Sequence, residues 1–405
     1  MAFFSISQDN KSKVRRRAKL DLVLIFLVYA VALFGVFAVS AATFHVNSDV
    51  NANIFNQIFG SYYGLRQSIF VALSPIILGF IIALPYEFIH KNIWLVFGGA
   101  VVLLLVALIG EEIAGIQAFI SIIWGFTIQP AEFAKIAIII ALARLLEDVK
   151  DPFVTLKSSI KFLAVAGTPA LITIAQGEMG SAMVMAVIVV AMLFAAGMPW
   201  KRFVFLLLLA AAGMAALILF WTLVTPDSYR LQRILALVNP ESASEATKYQ
   251  VNNSIIAIGA GGLTGVGPFK EGSIVQLDYV PKDWTDFIFS AIGETFGFIG
   301  SVIIIVVYTL IILRLLYLAS VVPYKFSELI IVGTVAMFLI HMFLNIGMTI
   351  GIVPVVGIPL PFLSYGGSNL FTNMISIGLV LNVTRNVRLV NYRFDTRFLE
   401  SQLKK

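Results

Sequence analysis

The sequence predicts an all-α polytopic membrane protein with about ten transmembrane helices, both termini in the cytoplasm and one large extracytoplasmic loop. The first observation is composition: 60% of the 405 residues are hydrophobic and 12% are charged, with a mean hydropathy of +0.96, which excludes an ordinary soluble domain. The second is that apolar residues form runs of roughly 15 to 28 residues. The third is that Lys and Arg lie at alternate ends of these runs, so cytoplasmic loops, and not nucleic acid binding, explain the net charge of +6.

The predicted helices follow a basic N-terminal tail, residues 1–20, which the positive-inside rule assigns to the cytoplasm. The first apolar run lacks an A-x-A-like cleavage site and is interpreted as an uncleaved span. The ten predicted spans cover about residues 21–41, 67–87, 92–109, 130–146, 162–176, 180–198, 203–224, 286–313, 327–350 and 368–384. The membrane domain is therefore 21–384, and a second cytoplasmic basic tail follows at 385–405.

Two connections between the spans differ from short turns. The apolar residues within 116–126 are predicted to lie on the membrane or to re-enter it. Residues of about 225–285 form one long polar connection, which the parity of the spans assigns to the extracytoplasmic side. A loop of that length in a compact protein is usually functional.

The stretch from Gly351 to Ser368, GIVPVVGIPLPFLSYGGS, is predicted to belong to a site. Its prolines and glycines prevent a regular helix, although its Val, Ile, Leu and Phe content suits membrane depth or the membrane border. Irregular backbone in that setting must be buried in protein or line a wet cavity, because lipid cannot satisfy free N–H and C=O groups.

Several kinds of chemistry are disfavoured. The chain has no cysteine and only three histidines, which argues against a disulfide framework, a thiolate site, a serine triad or a histidine metal site. GAGGLTGVG at 259–267 resembles a phosphate loop but lacks the lysine and serine, so a close-packed turn is favoured. SYGGS at 364–368 has no preceding strand and no histidine placed to activate Ser364 as a nucleophile.

Asp286, in WTDFIF, is the most promising carboxylate. Its aromatic neighbours are expected to desolvate it and to raise its pKa towards that of a usable base. An N-terminal charge that favours the helix dipole and pairs with an arginine is the alternative interpretation. Glu294 lies about 12 Å deeper on the same predicted helix and needs a partner or water.

Two further charged pairs are candidates. Glu132 and Lys135 lie three residues apart on one helix face, and the residues alone favour a buried structural pair. Arg230 and Arg233 could bind a diphosphate through their planar donors or could mark an interface.

At these residues the chain resembles the SEDS family (shape, elongation, division and sporulation), the RodA/FtsW membrane glycosyltransferases that polymerise peptidoglycan. The motifs run in family order across nearly the whole membrane region. They are RQ at 66–67, QPAEFAK at 129–135, YRLQRILALVNP at 229–240, YQ and NSIIAIGAGGL within 249–263, VPKDWTDFIFSAIGE at 280–294, and NIGMTIGIVPVVGIPLPFLSYGGSN at 345–369.

The resemblance implies that Asp286 is the catalytic base of an inverting transfer that polymerises lipid II and releases undecaprenyl diphosphate. It implies a bacterial plasma-membrane protein with an extracytoplasmic active site, a class B penicillin-binding protein as partner, a divalent cation (Mg²⁺ or Mn²⁺) as a candidate cofactor, and no nucleotide or organic cofactor. The implied substrate-binding residues are Arg66, Glu132, Lys135, Glu178, Arg230, Arg233, Trp284, Ser364, Gly366, Gly367 and Ser368.

Departures from the family pattern keep alternatives open. The usual QPDLG reads QGEMG, so Gly177 replaces a proline; Trp284 stands where a histidine is usual; and Ile274 stands where the usual G-T-Q has glutamine. These departures leave open a scaffold that mainly recruits another enzyme. A lipid II flippase is a separate alternative to the polymerase, because it too predicts ten spans, a hydrophobic groove and basic groups for a diphosphate. The sequence PVVGIPLP resembles RodA more than FtsW, which favours cell-wall elongation and cell shape over septal synthesis in division.

Overall fold

A computed structural model describes residues 20–43, 53–110, 117–121, 127–149, 151–224 and 245–403, and it is mostly helical. The elements are α1 (Leu22–Ala42), α2 (Ile54–Gly60), α3 (Tyr62–Ala83), α4 (Tyr86–Lys91), α5 (Ile93–Ile109), β1 (Ile120–Ser121), β2 (Thr127–Ile128), α6 (Pro130–Leu146), α7 (Leu156–Ala175), α8 (Met179–Ala196), α9 (Trp200–Val224), α10 (Glu245–Ala260), α11 (Ile288–Val321), α12 (Lys325–Thr349) and α13 (Gly367–Leu403).

A helix overlaps each of the ten predicted spans. Among the described residues, α1, α3, α7, α8, α11 and α12 are long and apolar enough to cross a membrane, and α5 is a shorter apolar helix of 17 residues. Many large apolar side chains on the outer helices are exposed, such as Leu95 on α5 (75%) and Leu208 on α9 (65%). Lipid, and not water, suits such surfaces, so the chain is a multi-pass membrane protein.

The helix boundaries differ from the predicted ones in several places. Helix α3 begins at Tyr62 and α7 at Leu156, earlier than predicted, and a capping box between Thr155 and Ser158 explains the second start. Helices α11 and α13 continue past the predicted span ends at 313 and 384. A helix can continue beyond the segment that the charge pattern delimits, so this pattern does not mark the helix end.

The predicted loops contain more regular structure than expected. Helix α10 lies inside the predicted 225–285 loop, of which residues 225–244 fall outside the described residues. Strands β1 and β2 form a two-residue antiparallel pair, Ile120 with Ile128 and Ser121 with Thr127, so the all-α prediction is wrong at this hairpin. Cross-strand backbone bonds supply a way to satisfy the polar backbone of an apolar segment.

Helix α6 lies at the centre of the bundle, where 14 of its residues are buried. It packs against α5, α7, α8 and α12, and α12 packs in turn against α8 and α11. A Cβ added at Gly333 on α12 would lie 2.9 Å from Ile139 of α6 and 3.0 Å from Met192 of α8. A small residue at this crossing lets three helices approach closely, as is common in membranes.

Helix α11 is interrupted at Gly297, where φ is +66°. The 259–267 turn supplies hydrogen-bond partners for backbone groups on both sides of this interruption. The broken helix and the turn exchange four backbone hydrogen bonds: Val266 N to Glu294 O (2.9 Å), Gly267 N to Thr295 O (3.1 Å), Phe298 N to Gly262 O (2.8 Å) and Ile299 N to Leu263 O (3.1 Å). The glycine-rich segment is therefore a close-packed turn, as predicted, and its amides are occupied by protein carbonyls.

We expect Gly261→Ala to destabilise the fold, because its Cβ would lie 1.9 Å from the backbone oxygen of Gly293. Overpacking of this kind costs about 1–3 kcal/mol. Gly259→Ala is the matched control: its Cβ would meet nothing within 4 Å and lies within α10. Thermal unfolding of the two variants in detergent should give a lowered midpoint for Gly261→Ala alone. Equal midpoints would contradict the packing of the turn against α11.

Candidate active site

The candidate site forms where two irregular segments meet at one end of the bundle. Residues 281–287 precede α11, and the 350–366 segment connects α12 to α13. Three consecutive carbonyls of the first segment accept hydrogen bonds: Trp284 O from Tyr365 N (2.9 Å), Thr285 O from Ser364 Oγ (2.7 Å) and Asp286 O from Asn345 Nδ2 (2.8 Å). The Pro/Gly-rich stretch and Asn345 of α12 together therefore satisfy the backbone that carries Asp286.

Asp286 lies two residues before α11 begins at Ile288, and its side chain is half-buried. A Cβ built on Gly357 would lie 3.5 Å from Asp286 Oδ2, and Gly357 is exposed with φ of +68°. Asn345 also donates to Ile358 O at 2.8 Å, which fixes the segment opposite the carboxylate. The carboxylate therefore lies beside bare backbone on an accessible surface, where a substrate hydroxyl can approach it.

Ser364 acts within the protein. Its side chain is fully buried, and its hydroxyl accepts from Leu360 N at 2.8 Å while donating to Thr285 O. Nearby, Phe362 is buried with φ of +65°, a left-handed conformation that is strained for an aromatic residue. With its proton already donated, the Ser364 hydroxyl positions the segment before Asp286 and does not present a nucleophile, and its predicted contact with substrate stays a prediction.

Gln67, on α3, makes hydrogen bonds to two backbone groups just before α13. Its Nε2 donates to Ser364 O and its Oε1 accepts from Gly366 N, both at 3.3 Å. A Cβ at Gly367 would lie 3.0 Å from the Phe70 ring, so this position needs a glycine for close approach. Gly366 and Gly367 therefore serve backbone contact with α3, and the predicted substrate role of both residues stays a prediction.

An aromatic cluster covers the outer side of the segment. Tyr63 stacks on Trp284 with ring centroids 4.9 Å apart and meets Tyr365 edge-on at 5.0 Å. The guanidinium carbon of Arg66 lies 4.2 Å from the centroid of the Tyr62 ring. Burial raises the pKa of Tyr365, and a hydrogen bond from Arg66 opposes that rise. Trp284, at the family's usual histidine position, packs within this cluster, and its predicted contact with substrate stays a prediction.

Glu132 and Lys135 form a buried ion pair on α6, with Lys135 Nζ 2.7 Å from Glu132 Oε1. The side chain of Lys135 is 1% exposed and that of Glu132 is 3% exposed. Lys135 Nζ also lies 2.9 Å from His341 Nε2, while His341 Nδ1 contacts Met337 O at 2.6 Å. A carbonyl only accepts, so Nδ1 carries the proton and Nε2 accepts from the lysine. The neutral histidine on α12 is thus a second hydrogen-bond partner of Lys135, beside Glu132.

Ser368 and Gln129 connect the start of α6, the helix that carries this ion pair, to the start of α13 and to Glu178. Ser368 Oγ accepts from Gln129 N and donates to Thr127 O, both at 3.2 Å. The Gln129 side chain donates to Glu178 Oε1. A Cβ at Gly180 would lie 2.6 Å from Val356 O, so the start of α8 packs directly on the Pro/Gly-rich stretch. The predicted residues from three helix ends therefore share one continuous region.

Glu178 lies in the turn between α7 and α8. Burial raises its pKa to about 7; Gln129 and Lys135 oppose the rise, and the Glu132 charge adds to it. Its Oε2 is buried and has no hydrogen-bond partner within the described residues. The preceding Gly177 has φ of +90°, which a proline could not adopt, so this departure from the family pattern has a backbone cause.

Glu294 has the partners that its depth requires. Its carboxylate accepts from Ile274 N at 2.7 Å and Val275 N at 2.9 Å. The departure at Ile274 leaves this interaction intact, because the contact is made by backbone. Asp283 is fully buried, neither of its carboxyl oxygens accepts a hydrogen bond of normal geometry from the described residues, and burial together with the Asp278 charge raises its pKa well above the usual range.

Arg230 and Arg233 lie outside the described residues, and their predicted contact with a diphosphate stays a prediction. Sequence reasoning assigned no role to Asn345, Gln67, Gln129, His341 or Asp283. All of these except His341 belong to motifs that were available from sequence, but contacts between distant segments leave no periodic signal. His341 and Asp283 acquire their significance only through their neighbours.

The fold and the site define a multi-pass helical membrane protein with an accessible carboxylate at one end of the helix bundle. A family model described as "Cell cycle protein", covering FtsW, RodA and SpoVE, matches residues 21–389. This chain belongs to the FtsW/RodA/SpoVE family, which is the SEDS family that the motifs indicated.

Relatives and solved structures agree with that assignment. The chain is 34% identical over 380 residues to the probable peptidoglycan glycosyltransferase FtsW of Trichlorobacter lovleyi, covering 92% of this chain and 95% of that protein. It resembles a chain of a peptidoglycan synthase complex that coordinates polymerization and crosslinking, with a TM-score of 0.72, 25% identity, and coverage of 91% and 98%. A variant of Rod shape determining protein RodA from Thermus thermophilus gives a TM-score of 0.64, 25% identity, and the same coverages.

We expect Glu178 to make stability pH-dependent. Its folded pKa of about 7 exceeds its ordinary value of 4.5, so its stabilising contribution is complete below the lower value and is lost as the pH rises through 7. Relative to Glu178→Gln, the wild type should lose on the order of 1–3 kcal/mol between pH 5 and 8 in thermal or denaturant unfolding. Glu245→Gln, at an exposed carboxylate, is the control. Parallel pH profiles for wild type and Glu178→Gln would contradict the raised pKa.

Proposed function

We propose that this chain is a peptidoglycan glycosyltransferase that polymerises lipid II into glycan strands at the outer face of the plasma membrane. The observation that carries the proposal is the half-exposed carboxylate of Asp286 beside Gly357, in a segment held by Ser364 and Asn345. The reaction class is supported by membership of the FtsW/RodA/SpoVE family and by the printed name of the Trichlorobacter lovleyi relative.

In the proposed step, Asp286 acts as the general base. Its carboxylate accepts the proton of an acceptor sugar 4-hydroxyl while that oxygen attacks the anomeric carbon of the donor. The new glycosidic C–O bond forms as the bond from the anomeric carbon to the lipid diphosphate breaks, and the electron pair leaves with undecaprenyl diphosphate. Attack opposite the leaving group inverts the configuration at the anomeric carbon.

The leaving diphosphate requires positive charge. Arg66, on the outer side of the site, is a candidate, and Arg230 and Arg233 join it in the proposal. Lys135 is already held by Glu132 and His341, so we assign it to supporting the site from inside the bundle. A divalent cation is a further proposal. Within the described residues no three His, Cys, Asp or Glu side chains converge on one point.

The proposed topology has ten spans in the domain 21–384, with both basic tails in the cytoplasm and the site outside. It is supported by the two ends of the bundle. Asp286, Glu178 and Ser368 lie near helix starts at one end. Basic residues near other helix boundaries make ion pairs, as in Arg314 with Asp21, where Nη2 lies 2.6 Å from Oδ2. This orientation matches a substrate displayed at the outer leaflet.

The proposed cellular role is cell-wall elongation and cell shape. The PVVGIPLP wording and the RodA structural neighbour support it. The FtsW relative supports septal synthesis in division as the second candidate. Depletion of the chain in its source cell should separate the two roles, because failed elongation gives rounded cells and failed division gives filaments.

We expect Asp286→Asn to abolish glycan polymerisation from lipid II, because the amide cannot accept the proton, with a loss of at least about 10²-fold. Asp283→Asn is the matched control. Asp283 is buried with a raised pKa, so the neutral amide resembles its protonated state, and we expect activity to remain. Polymer length on gels provides the measurement. Undiminished polymerisation by Asp286→Asn would contradict its role as base, and translocation of lipid II without polymer would favour the flippase.

We further propose that a class B penicillin-binding protein, a transpeptidase, associates with this chain. The proposal is supported by similarity to a chain of a synthase complex that coordinates polymerization and crosslinking. Affinity purification from membranes of the source cell should recover a protein that fluorescent penicillin labels. Asp286→Asn should recover it equally, since the carboxylate belongs to the reaction and not to assembly. Absence of any penicillin-labelled protein from the wild-type preparation would contradict the partnership.

A further inference from the structure

A cleft lies between the C-terminal end of α6 and the N-terminal end of α7, at the opposite ends of these helices from Glu132 and Glu178. Its volume is about 250 Å³. Apolar and cationic side chains line different parts of it: Leu145, Val149, Pro152 and Phe162 are apolar, and Lys157 and Lys161 are cationic. The proposed glycosyl transfer uses none of these residues.

The two lysines have no ion pair within the described residues. Nearby carboxylates are engaged elsewhere: Glu147 pairs with Arg144 and His90, and Asp151 pairs with Arg202. Lys157 and Lys161 are four residues apart, so they lie on one face of α7 and repel each other. Lys157 also lies in the first turn of a 20-residue helix, where the dipole disfavours cations. A bound anion would offset both unfavourable terms.

The same end of α7 lies at the border of the hydrocarbon. Four apolar side chains around the lysines are largely exposed: Val154 (65%), Leu156 (79%), Ile160 (58%) and Leu163 (53%). Such a surface requires lipid contact, whereas the ammonium groups must reach the polar headgroup layer. The cleft therefore lies at the depth where a phosphate group and the beginning of an acyl chain occur together in one molecule.

Local hydrogen bonding leaves the cleft suited to a phosphate. Thr155 and Ser158 satisfy each other through the capping box, with Ser158 N to Thr155 Oγ1 at 3.2 Å and Thr155 N to Ser158 Oγ at 3.3 Å. Other first-turn N–H groups of α7 have no intrahelical acceptor. The helix start thus adds donors to the two ammonium groups, while the hydroxyls are already used by the cap.

We propose that this cleft binds the headgroup of an anionic phospholipid, with the phosphate between Lys157 and Lys161 and an acyl chain along the apolar wall. The positive-inside tendency accounts for lysines near a membrane border, but it does not require two like charges on one helix face beside an apolar cleft. The proposed topology makes this a site of the cytoplasmic leaflet. The lipid would anchor the α6–α7 connection and stabilise the bundle.

Native mass spectrometry of the detergent-solubilised full chain tests the proposal. The protein is titrated with dioleoylphosphatidylglycerol and, separately, with dioleoylphosphatidylcholine, and binding and thermal stabilisation are followed. The test variant is Lys157→Gln/Lys161→Gln. The charge-matched control is Lys91→Gln/Lys201→Gln, which removes two exposed lysines outside the cleft without an ion pair among the described residues. All variants keep Asp286, so polymerisation activity reports folding.

We expect the wild type and the control to bind one phosphatidylglycerol at least about tenfold more tightly than the test variant. We also expect phosphatidylcholine to bind all three proteins weakly and equally. Equal phosphatidylglycerol affinity in the test variant and the control, or equal affinity of the wild type for both lipids, would overturn the proposal. Stabilisation by inorganic phosphate to the same extent would assign the cleft to a free anion and would overturn the lipid assignment.

Discussion

The structure depends on one set of interactions: the backbone pairing between the residues before α11 and the Pro/Gly-rich segment between α12 and α13. Neither segment is helical, and lipid cannot satisfy their polar backbone groups. From the Pro/Gly-rich segment, Tyr365 N donates to Trp284 O and the Ser364 hydroxyl donates to Thr285 O, while Asn345 of the adjoining α12 donates to Asp286 O. Each segment therefore supplies hydrogen-bond partners for polar backbone groups of the other, and these hydrogen bonds fix the position of Asp286.

The same principle operates along α11. Gly297 interrupts the helix, and the turn at 259–267 supplies the missing donors and acceptors. Glu294, just before the interruption, receives two N–H groups from Ile274 and Val275. A helix that would otherwise move freely about its break is therefore fixed to the preceding loop. This fixation also holds the residues before α11, because they belong to the same continuous chain.

The carboxylates around the site have different chemical roles because their environments differ. Glu132 is paired with Lys135, Glu294 is held by backbone amides, and Glu178 and Asp283 are buried where burial raises the pKa. Asp286 is half-buried and lies beside an exposed glycine. It combines access with a fixed backbone, as a general base requires. The other carboxylates instead support helix ends and crossings.

The sequence by itself determined the membrane class, helices over the ten predicted spans, the family and the irregularity of Gly351–Ser368. Hydropathy, charge at helix ends, proline and glycine are local properties, so they are readable without coordinates. Only the tertiary structure decided that Gly357 lies against Asp286, that His341 holds Lys135, and that Ser364 donates to Thr285 O. These contacts join residues up to 206 positions apart, as for Lys135 and His341. No periodic pattern in the sequence encodes such pairings, because they arise from the way the helices pack. The spatial arrangement of the helices is not apparent from the order of the residues.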